Sequence, residues 1–584
     1  MGVAWLAALA SVRTAGAATP PPAHFGHAAV ASDNAQASAA GVALLKAGGN
    51  AVDAACATAL ALGVVHPFAS GIGGGGFAVV YLAREHKVYA LDFRERAPGA
   101  IRADLFLKDG KADPKLSREG GLAVAVPGEV RGLGALVRRF GKLPFARCVA
   151  PAEKLARDGA QVSWRLAEVA APDAPEGKPP EGKPPEGKPP EGRPEAHKAG
   201  LDPIIERVFG TRVLPEGGTF RRPDLARTLA SLRTGGPDAF YKGPIAAAIV
   251  DAVRAGGGVM TLGDLEGYTP TERTPLETTY RGLRIVSMPP PSSGGVALIE
   301  TLGILAAKYP NPADMTKLGS GSSAYLHALA EALKHAFADR ARHLGDGDFV
   351  DVPLAKLVSP AYHAELAARI KDGGVGARDS YGTPDAPADL HRDGGTTHLS
   401  VIDAEGNAVA LTTTVNLGFG AKLVAGKTGI VLNDQMDDFA VQPGVPNGFG
   451  LIGSAQNAIA PGKRPLSSMT PVVVLDGDKV RLVAGAAGGP TIITATTEVV
   501  LNVLDWNMDA QAAIAAPRIH DQWFPELLMV EPELTRDVAA ALGTRGHKVK
   551  TIPHIGVANL LVRRKDGGLD AAAEPRSPST PAGY

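Results

Sequence analysis

A chain of 584 residues with 45% hydrophobic side chains can bury a core of full size, and its length alone allows roughly two to four domains. Sixty Lys plus Arg balance sixty Asp plus Glu, which removes the positive field that a general nucleic-acid or anionic-membrane binder needs. The only cysteines, Cys56 and Cys148, are too few for a disulfide framework and lack the close sequence spacing of a thiolate metal site or a redox pair, so stability rests on packing.

Residues 1–25 hold the run Val-Ala-Trp-Leu-Ala-Ala-Leu-Ala from residue 3 and reach Gly-Ala-Ala before Thr-Pro-Pro-Pro. This resembles the apolar region and cleavage end of an export signal, although no Lys or Arg precedes the run and Arg13 interrupts its tail. The segment is read as an export signal or an irregular N-terminus, and a periplasmic or secreted protein is expected. No later stretch reaches the roughly eighteen apolar residues of a spanning helix, so a soluble protein without a membrane span is expected.

Over 35–65 the pattern predicts a helix, a stop at Gly48-Gly49, Asn50 as a new N-cap and an Ala-rich second helix. Gly71-Ile72-Gly73-Gly74-Gly75-Gly76 matches a dinucleotide fingerprint, but here a helix precedes it and a strand over 77–82 follows. With the order reversed, no phosphate meets a helix N-terminus, and the glycines read as close backbone packing beside a site. Within 172–198, Pro-Glu-Gly-Lys-Pro repeats with period five and offers no apolar side chain to a core, which predicts a disordered insert looped out of the fold.

Leu326, Leu329, Leu333 and Phe337 form the stripe of a long amphipathic helix. On its other face His327, Glu331 and His335 recur at i, i+4 and i+8, a spacing that can hold a metal. They are read as a solvated polar face, since His-Glu-x-x-His is missing, and no metal is expected. After an irregular zone over 371–395, β-branched runs over 397–403 and 408–415 flank a turn at 404–407, the signature of a hairpin. Further strands over 471–475, 480–483 and 560–562, with helices over 491–504 and 534–542, make the class mixed α and β. Gly426-Lys427-Thr428 fails as a phosphate loop because Ala421 stands where glycine is needed, and no Gly-x-Ser-x-Gly elbow is present.

Gly394-Gly395-Thr396-Thr397 offers a different nucleophile. Cleavage before Thr396 would give its hydroxyl a neighbouring α-amine of pKa near 7.7 to 8.0, suited to act as its own general base at neutral pH. Gly395, without a Cβ, would let the preceding peptide take the strained conformation that self-attack needs. Taken alone, the same four residues are usually just a turn entering a strand.

Three further segments stand in fixed order: Thr-Thr-His-Leu-Ser-Val-Ile-Asp from Thr396, Asn-Asp-Gln-Met-Asp-Asp-Phe from Asn433, and Lys-Arg-Pro-Leu-Ser-Ser-Met from Lys463. With Asp92-Phe93-Arg94-Glu95, Met-Pro-Pro-Pro-Ser-Ser-Gly-Gly from Met288, the Gly73 to Gly76 loop, Ala487-Gly488-Gly489 and the terminal Ala-Gly-Tyr, the chain resembles the γ-glutamyltransferase family of self-cleaving N-terminal-nucleophile hydrolases. The resemblance covers nearly everything after residue 26 except the repeat insert.

It implies an α+β fold, a four-layer αββα sandwich, cut between Gly395 and Thr396 into a large subunit, 26–395, and a small one, 396–584, intertwined as one domain. It implies Thr396 as nucleophile, Thr414 as its hydroxyl partner and the N–H groups of Gly488 and Gly489 as the oxyanion hole. Arg94, Ser467 and Ser468 would hold the α-carboxylate of a γ-glutamyl group, and Asn416, Gln435 and Asp438 its α-ammonium. Phe449 falls where a lid tyrosine is common, so a latch hydroxyl is missing. The implied reaction needs no cofactor: glutathione or a related γ-glutamyl compound acylates Thr396, and water, an amino acid or a peptide takes the acyl group. An acylase, a poly-γ-glutamate processor and a catalytically silent exported binding protein are the alternatives.

Overall fold

The computed structural model describes residues 20–171, 203–377, 380–381 and 394–584. The apolar N-terminal run and the repeat insert lie outside the described residues.

Two seven-stranded sheets organise the chain. The first runs Ala582–Gly583, Ala29–Ser32, Gly394–Ile402, Ala408–Leu417, Gly75–Leu82, Lys87–Phe93 and Thr271–Arg273, every neighbour antiparallel. The second runs Ala23–Phe25, Leu569–Ala571, Val557–Arg563, Lys479–Ala487, Val472–Asp476, Leu283–Ser287 and Leu276–Tyr280, also antiparallel throughout. The predicted hairpin therefore lies in the middle of the first sheet, and its strands reach past the β-branched runs at the end that carries Thr396.

Alternation along the strands decides what each face meets. Val79, Tyr81, Ile402 and Ala410 of the first sheet pack against Val473, Val483 and Leu561 of the second, forming a core between the sheets. The opposite residues, Ala78, Val80, Leu399 and Val401, join a second core with the helices Ala35–Lys46, Ala51–Val65 and Phe145–Asp158. A third core joins Val472, Val474, Leu482 and Leu560 to the helices Gly294–Lys308, Ser323–His343 and Thr491–Leu504. Central strands covered on both faces read as continuous apolar runs, which is why Gly75–Leu82 is buried at every residue.

The local rules of helix formation operate as the sequence predicts. Asn50 accepts from the N–H groups of Val52 and Asp53 while Asp53 accepts from Asn50, a complete capping box. Small residues let the two N-terminal helices meet closely, since a Cβ on Gly41 would stand 2.3 Å from Thr58 Oγ1.

One expectation is corrected. His327, Glu331 and His335 do not form a solvated face: they are buried, with exposures of 1%, 1% and 4%. The helix Ser323–His343 has neighbours on both sides, Gly294–Lys308 within the core and Arg536–Thr544 beyond it, so its polar face is covered too.

Candidate active site

Thr396 lies at a register shift in the central strand: Gly395 pairs with Asn416, whereas Thr396 pairs with Thr414. Its Oγ1 is 2.9 Å from Thr414 Oγ1. The Thr414 hydroxyl donates to the Gly395 carbonyl at 2.6 Å and accepts from the Asn416 N–H at 2.8 Å. A hydroxyl has one proton, so with that proton on Gly395, Thr414 can only accept from Thr396. The network draws the Thr396 proton away from its oxygen and polarises the carbonyl immediately before it.

Gly395 is required for a reason other than strain. A Cβ there would lie 2.5 Å from Phe68 O and 2.8 Å from Leu417 O, so backbone crowds it from two sides. The Gly73 to Gly76 loop serves the same packing: Cβ atoms on Gly74 and Gly76 would meet the carbonyls of Thr414 and Thr412 at 1.9 and 2.2 Å. The glycine run thus fits the loop and strand against the strand carrying Thr414, which matches the reading of close packing beside a site.

A small hollow gathers Arg94, Thr396, Thr414, Asn416, Gln435, Asp438, Phe449, Ser467, Ser468 and Gly489. Of the residues expected at the site, Gly395 and Gly488 are not on its lining. In the hollow Arg94 forms an ion pair with Asp438, which also accepts from Gln435 Nε2 at 2.8 Å. The expectation assigned these two charges to opposite ends of a ligand; in the hollow they pair with each other. Burial raises the Asp438 carboxyl above its usual range, and Arg94 opposes that rise.

Free hydrogen-bonding capacity points to what the hollow accepts. Among the described residues Gln435 Oε1 is buried without a partner, and Asn416, held at a φ of 83°, has its amide nitrogen on Asp434 O at 3.1 Å and no hydrogen bond to its side-chain oxygen. Both face an ammonium well. Ser467 Oγ accepts from the Met469 N–H at 3.0 Å and Ser468 Oγ from Arg340 Nη2 at 3.5 Å, so each hydroxyl proton is free to donate.

Gly488 and Gly489 bridge the end of strand Lys479–Ala487 and the start of helix Thr491–Leu504, at φ of 128° and 59°, values that favour glycine. Among the described residues neither N–H has an acceptor, so both remain for a developing oxyanion. Phe449 lies over this turn, for a Cβ on Gly489 would be 2.6 Å from its ring. The ring also borders a larger, open cavity on which Thr396, Gly488, His66, His520 and Lys550 lie. Thr396 and Phe449 thus stand between two spaces.

Sequence reasoning missed several supporting groups. Arg340, whose pKa burial lowers to about 10, donates to Ser293 Oγ at 2.9 Å and braces Ser468 from behind. Asn447 reaches Asp438 Oδ1 at 3.4 Å and the Gly448 N–H reaches Asp437 Oδ2 at 2.7 Å, tying the lid segment down without a tyrosine. Arg340 and Asn447 act through a neighbour and carry no sequence signal of their own.

Buried carboxyls make stability depend on pH. Burial raises Glu95 to about 7, Glu129 and Asp33 to about 8, and Asp521 to about 7. A carboxyl with a raised folded pKa binds more protons folded than unfolded, so its stabilising effect is lost as pH climbs through that folded value. The buried His66, His398 and His547, lowered to about 3, act oppositely but only below the ordinary histidine pKa. Between the ordinary histidine pKa and these folded values the carboxyls act unopposed, so the melting temperature should fall between about pH 6.5 and 8; a calorimetric scan that is flat or rising over that window contradicts these assignments.

Known proteins resemble the chain in sequence and in fold. Glutathione hydrolase proenzyme of Escherichia coli (strain K12) is 41% identical over 551 residues, spanning 94% of this chain and 90% of that one. Glutathione hydrolase 2 of Arabidopsis thaliana is 38% identical over 582 residues, spanning 96% and 94%. Among solved structures, cephalosporin acylase from Bacillus halodurans superposes over 99% of both chains with a TM-score of 0.81 at 26% identity. Helicobacter pylori gamma-glutamyltranspeptidase matches 64% of this chain and 97% of its own with a TM-score of 0.53 at 36% identity. The family profile described as gamma-glutamyltranspeptidase matches residues 37–584, and the chain belongs to that family.

Proposed function

We propose that the chain is a γ-glutamyltransferase and glutathione hydrolase that matures by cutting itself before Thr396, giving a large subunit, 26–395, and a small one, 396–584. The observation that carries this reading is the Thr396–Thr414–Gly395 hydrogen-bond chain at the edge of a hollow holding one fixed positive and one fixed negative charge. The three cores support a four-layer αββα arrangement, with the strand of Thr396 paired to strands from both proposed subunits.

In maturation, Thr396 Oγ1 attacks the Gly395 carbonyl carbon, the peptide C–N bond breaks, and an ester with a free Thr396 amine results. Water then hydrolyses the ester and leaves Gly395 as a carboxylate. In turnover the amine takes the hydroxyl proton, Oγ1 attacks the γ-amide carbon, and the N–H groups of Gly488 and Gly489 hold the oxyanion. The proton passes to the departing amine, and water, an amino acid or a peptide receives the acyl group from Thr396. Arg94 with Ser467 and Ser468 takes the α-carboxylate; Asp438 with Asn416 and Gln435 takes the α-ammonium. A neutral hollow binding a zwitterion buries no net charge, which limits the desolvation cost. The larger cavity on the other side of Phe449 is the space for the departing amine and the acceptor. The apolar N-terminal run supports export, and among the described residues no helix is long and apolar enough to cross a membrane.

The test is a denaturing gel of the purified protein with end-sequencing and a γ-glutamyl anilide assay. Two fragments, the smaller beginning Thr-Thr-His-Leu, with anilide release, are expected; one uncut, inactive band sinks the reading.

Phe449→Tyr adds a hydroxyl to a ring that lines the same hollow as Asn416, and one neutral hydrogen bond between the two, about 0.5–1.5 kcal/mol, would populate the closed lid more fully. The ratio of transfer to hydrolysis should rise roughly two- to tenfold with an acceptor dipeptide. An unchanged ratio makes Phe449 plain packing, with the lid held by Asn447 and Gly448 alone.

A further inference from the structure

The helix Ser323–His343 places His327 and Glu331 four residues apart on one face, and His547, from the turn before strand Val549–Thr551, comes to meet them. One ligand atom of each lies within 4.8 Å of the other two. All three side chains are buried, His547 at 6% exposure. Nothing in the reaction above uses them.

Donor and acceptor roles fix the two imidazoles. His327 Nε2 lies 2.7 Å from the Lys371 carbonyl oxygen, which only accepts, so Nε2 carries the proton and Nδ1 a bare lone pair. The 2.8 Å contact between His327 Nδ1 and His547 Nε2 then needs its proton on His547. That leaves His547 Nδ1 as a second bare lone pair, buried and, among the described residues, without a partner. A histidine that gives its far N–H to a backbone carbonyl is the usual outer arrangement of a metal ligand. Glu331 is likewise oriented from behind, accepting from the Tyr381 hydroxyl and, at 3.1 Å, from the Gly376 N–H.

We propose that His327, Glu331 and His547 form a binding site for a divalent transition-metal ion of the Zn²⁺ class. Two imidazole nitrogens and a carboxylate suit such an ion and not Ca²⁺ or Mg²⁺, with water as a fourth ligand. On binding, the proton on His547 Nε2 passes to the open Nδ1 of the same ring, so both ligand nitrogens become available with both rings neutral. A tetrahedral ion with bonds of about 2.0–2.1 Å needs its nitrogens about 3.4 Å apart, so the pair must part slightly. His547 can yield because it lies outside helix Arg536–Thr544 and strand Val549–Thr551. Lys334, 2.8 Å from Glu331 Oε1, opposes the ion, but it has a second acid, Asp521, at 3.7 Å to turn to. His327 and Glu331 precede Thr396 and His547 follows it, so the ion would clamp the two subunits together. That clamping role rests on the cleavage proposed above; ion binding does not.

Tag-free protein stripped with a chelator is titrated with Zn²⁺ by calorimetry and with Co²⁺ by visible absorption. One ion per chain at about micromolar affinity or tighter, the d–d absorption of four-coordinate Co²⁺ and a higher melting temperature are expected. His547→Ala and Glu331→Gln should each weaken Zn²⁺ binding by about 100-fold or more. His335→Ala, on the same helix but outside the group, should bind as the parent does. The same titration on Thr396→Ala separates the two ideas: an uncut chain that binds Zn²⁺ supports the site whatever becomes of cleavage. No ion bound, or binding that survives both His547→Ala and Glu331→Gln, overturns the proposal.

Discussion

Thr396→Ala leaves a single uncut chain that releases no γ-glutamyl product. The substitution removes one hydroxyl that is asked to serve twice, first on the Gly395 carbonyl and then on substrate. The fold should tolerate it. Thr414 still donates to Gly395 at 2.6 Å and accepts from Asn416 at 2.8 Å, so the loss is one hydrogen bond at a 7% exposed position. That is about 0.5–1.5 kcal/mol against a typical stability of 5–15 kcal/mol. Turnover should drop by about 10⁴-fold or more, because no other hydroxyl stands in its place. Thr396→Ser keeps the hydroxyl and should keep both steps, which separates chemistry from misfolding. Normal subunits, or parental turnover of a γ-glutamyl anilide, in the alanine variant would place the nucleophile elsewhere.

How far the site can be read from sequence depends on how locally each contact is encoded. The Thr396 and Thr414 pairing is nearly legible, because a short turn at Glu405-Gly406-Asn407 joins two β-branched runs and fixes which residues face each other. The register shift at Gly395 was not legible, since it depends on Phe68 and Leu417 crowding a glycine from outside the hairpin. Arg94 and Asp438 lie 344 residues apart, and only a family resemblance could bring them to one hollow before the fold was known. The buried face of Ser323–His343 failed for the converse reason. Periodicity identifies the apolar stripe of a helix, but whether the polar side meets water depends on what covers it, here His547, 220 residues away from His327. Groups such as Arg340 and Asn447 act through a neighbour, Ser468 or Asp438, and carry no pattern of their own.

Asp438→Asn should lower kcat/KM for γ-glutamyl substrates by about 1.5–3 kcal/mol, roughly 10- to 150-fold, as a charge-assisted acceptor becomes a neutral amide. The hollow shows why the effect should depend on substrate. Asp438 is the acid that neutralises Arg94 there, while Glu95, 3.7 Å from Arg94 and raised to about 7 by burial, is only partly ionised at neutral pH. Replacing Asp438 leaves the hollow with an excess positive charge. A γ-glutamyl group then brings its ammonium to a site with no matching anion and an unbalanced guanidinium nearby. A glutaryl amide, which has the carboxylate but no ammonium, meets a positive hollow with a single negative charge and should lose much less. The ratio of kcat/KM for the two substrates should therefore shift toward the glutaryl compound, with most of the change in the γ-glutamyl term. Thr396 and Thr414 keep their own bonds, so self-cleavage should continue and the variant should be assayed as two subunits. Equal losses on both substrates, or a loss on the glutaryl amide alone, would contradict the role given to Asp438 and leave it as a structural partner of Arg94.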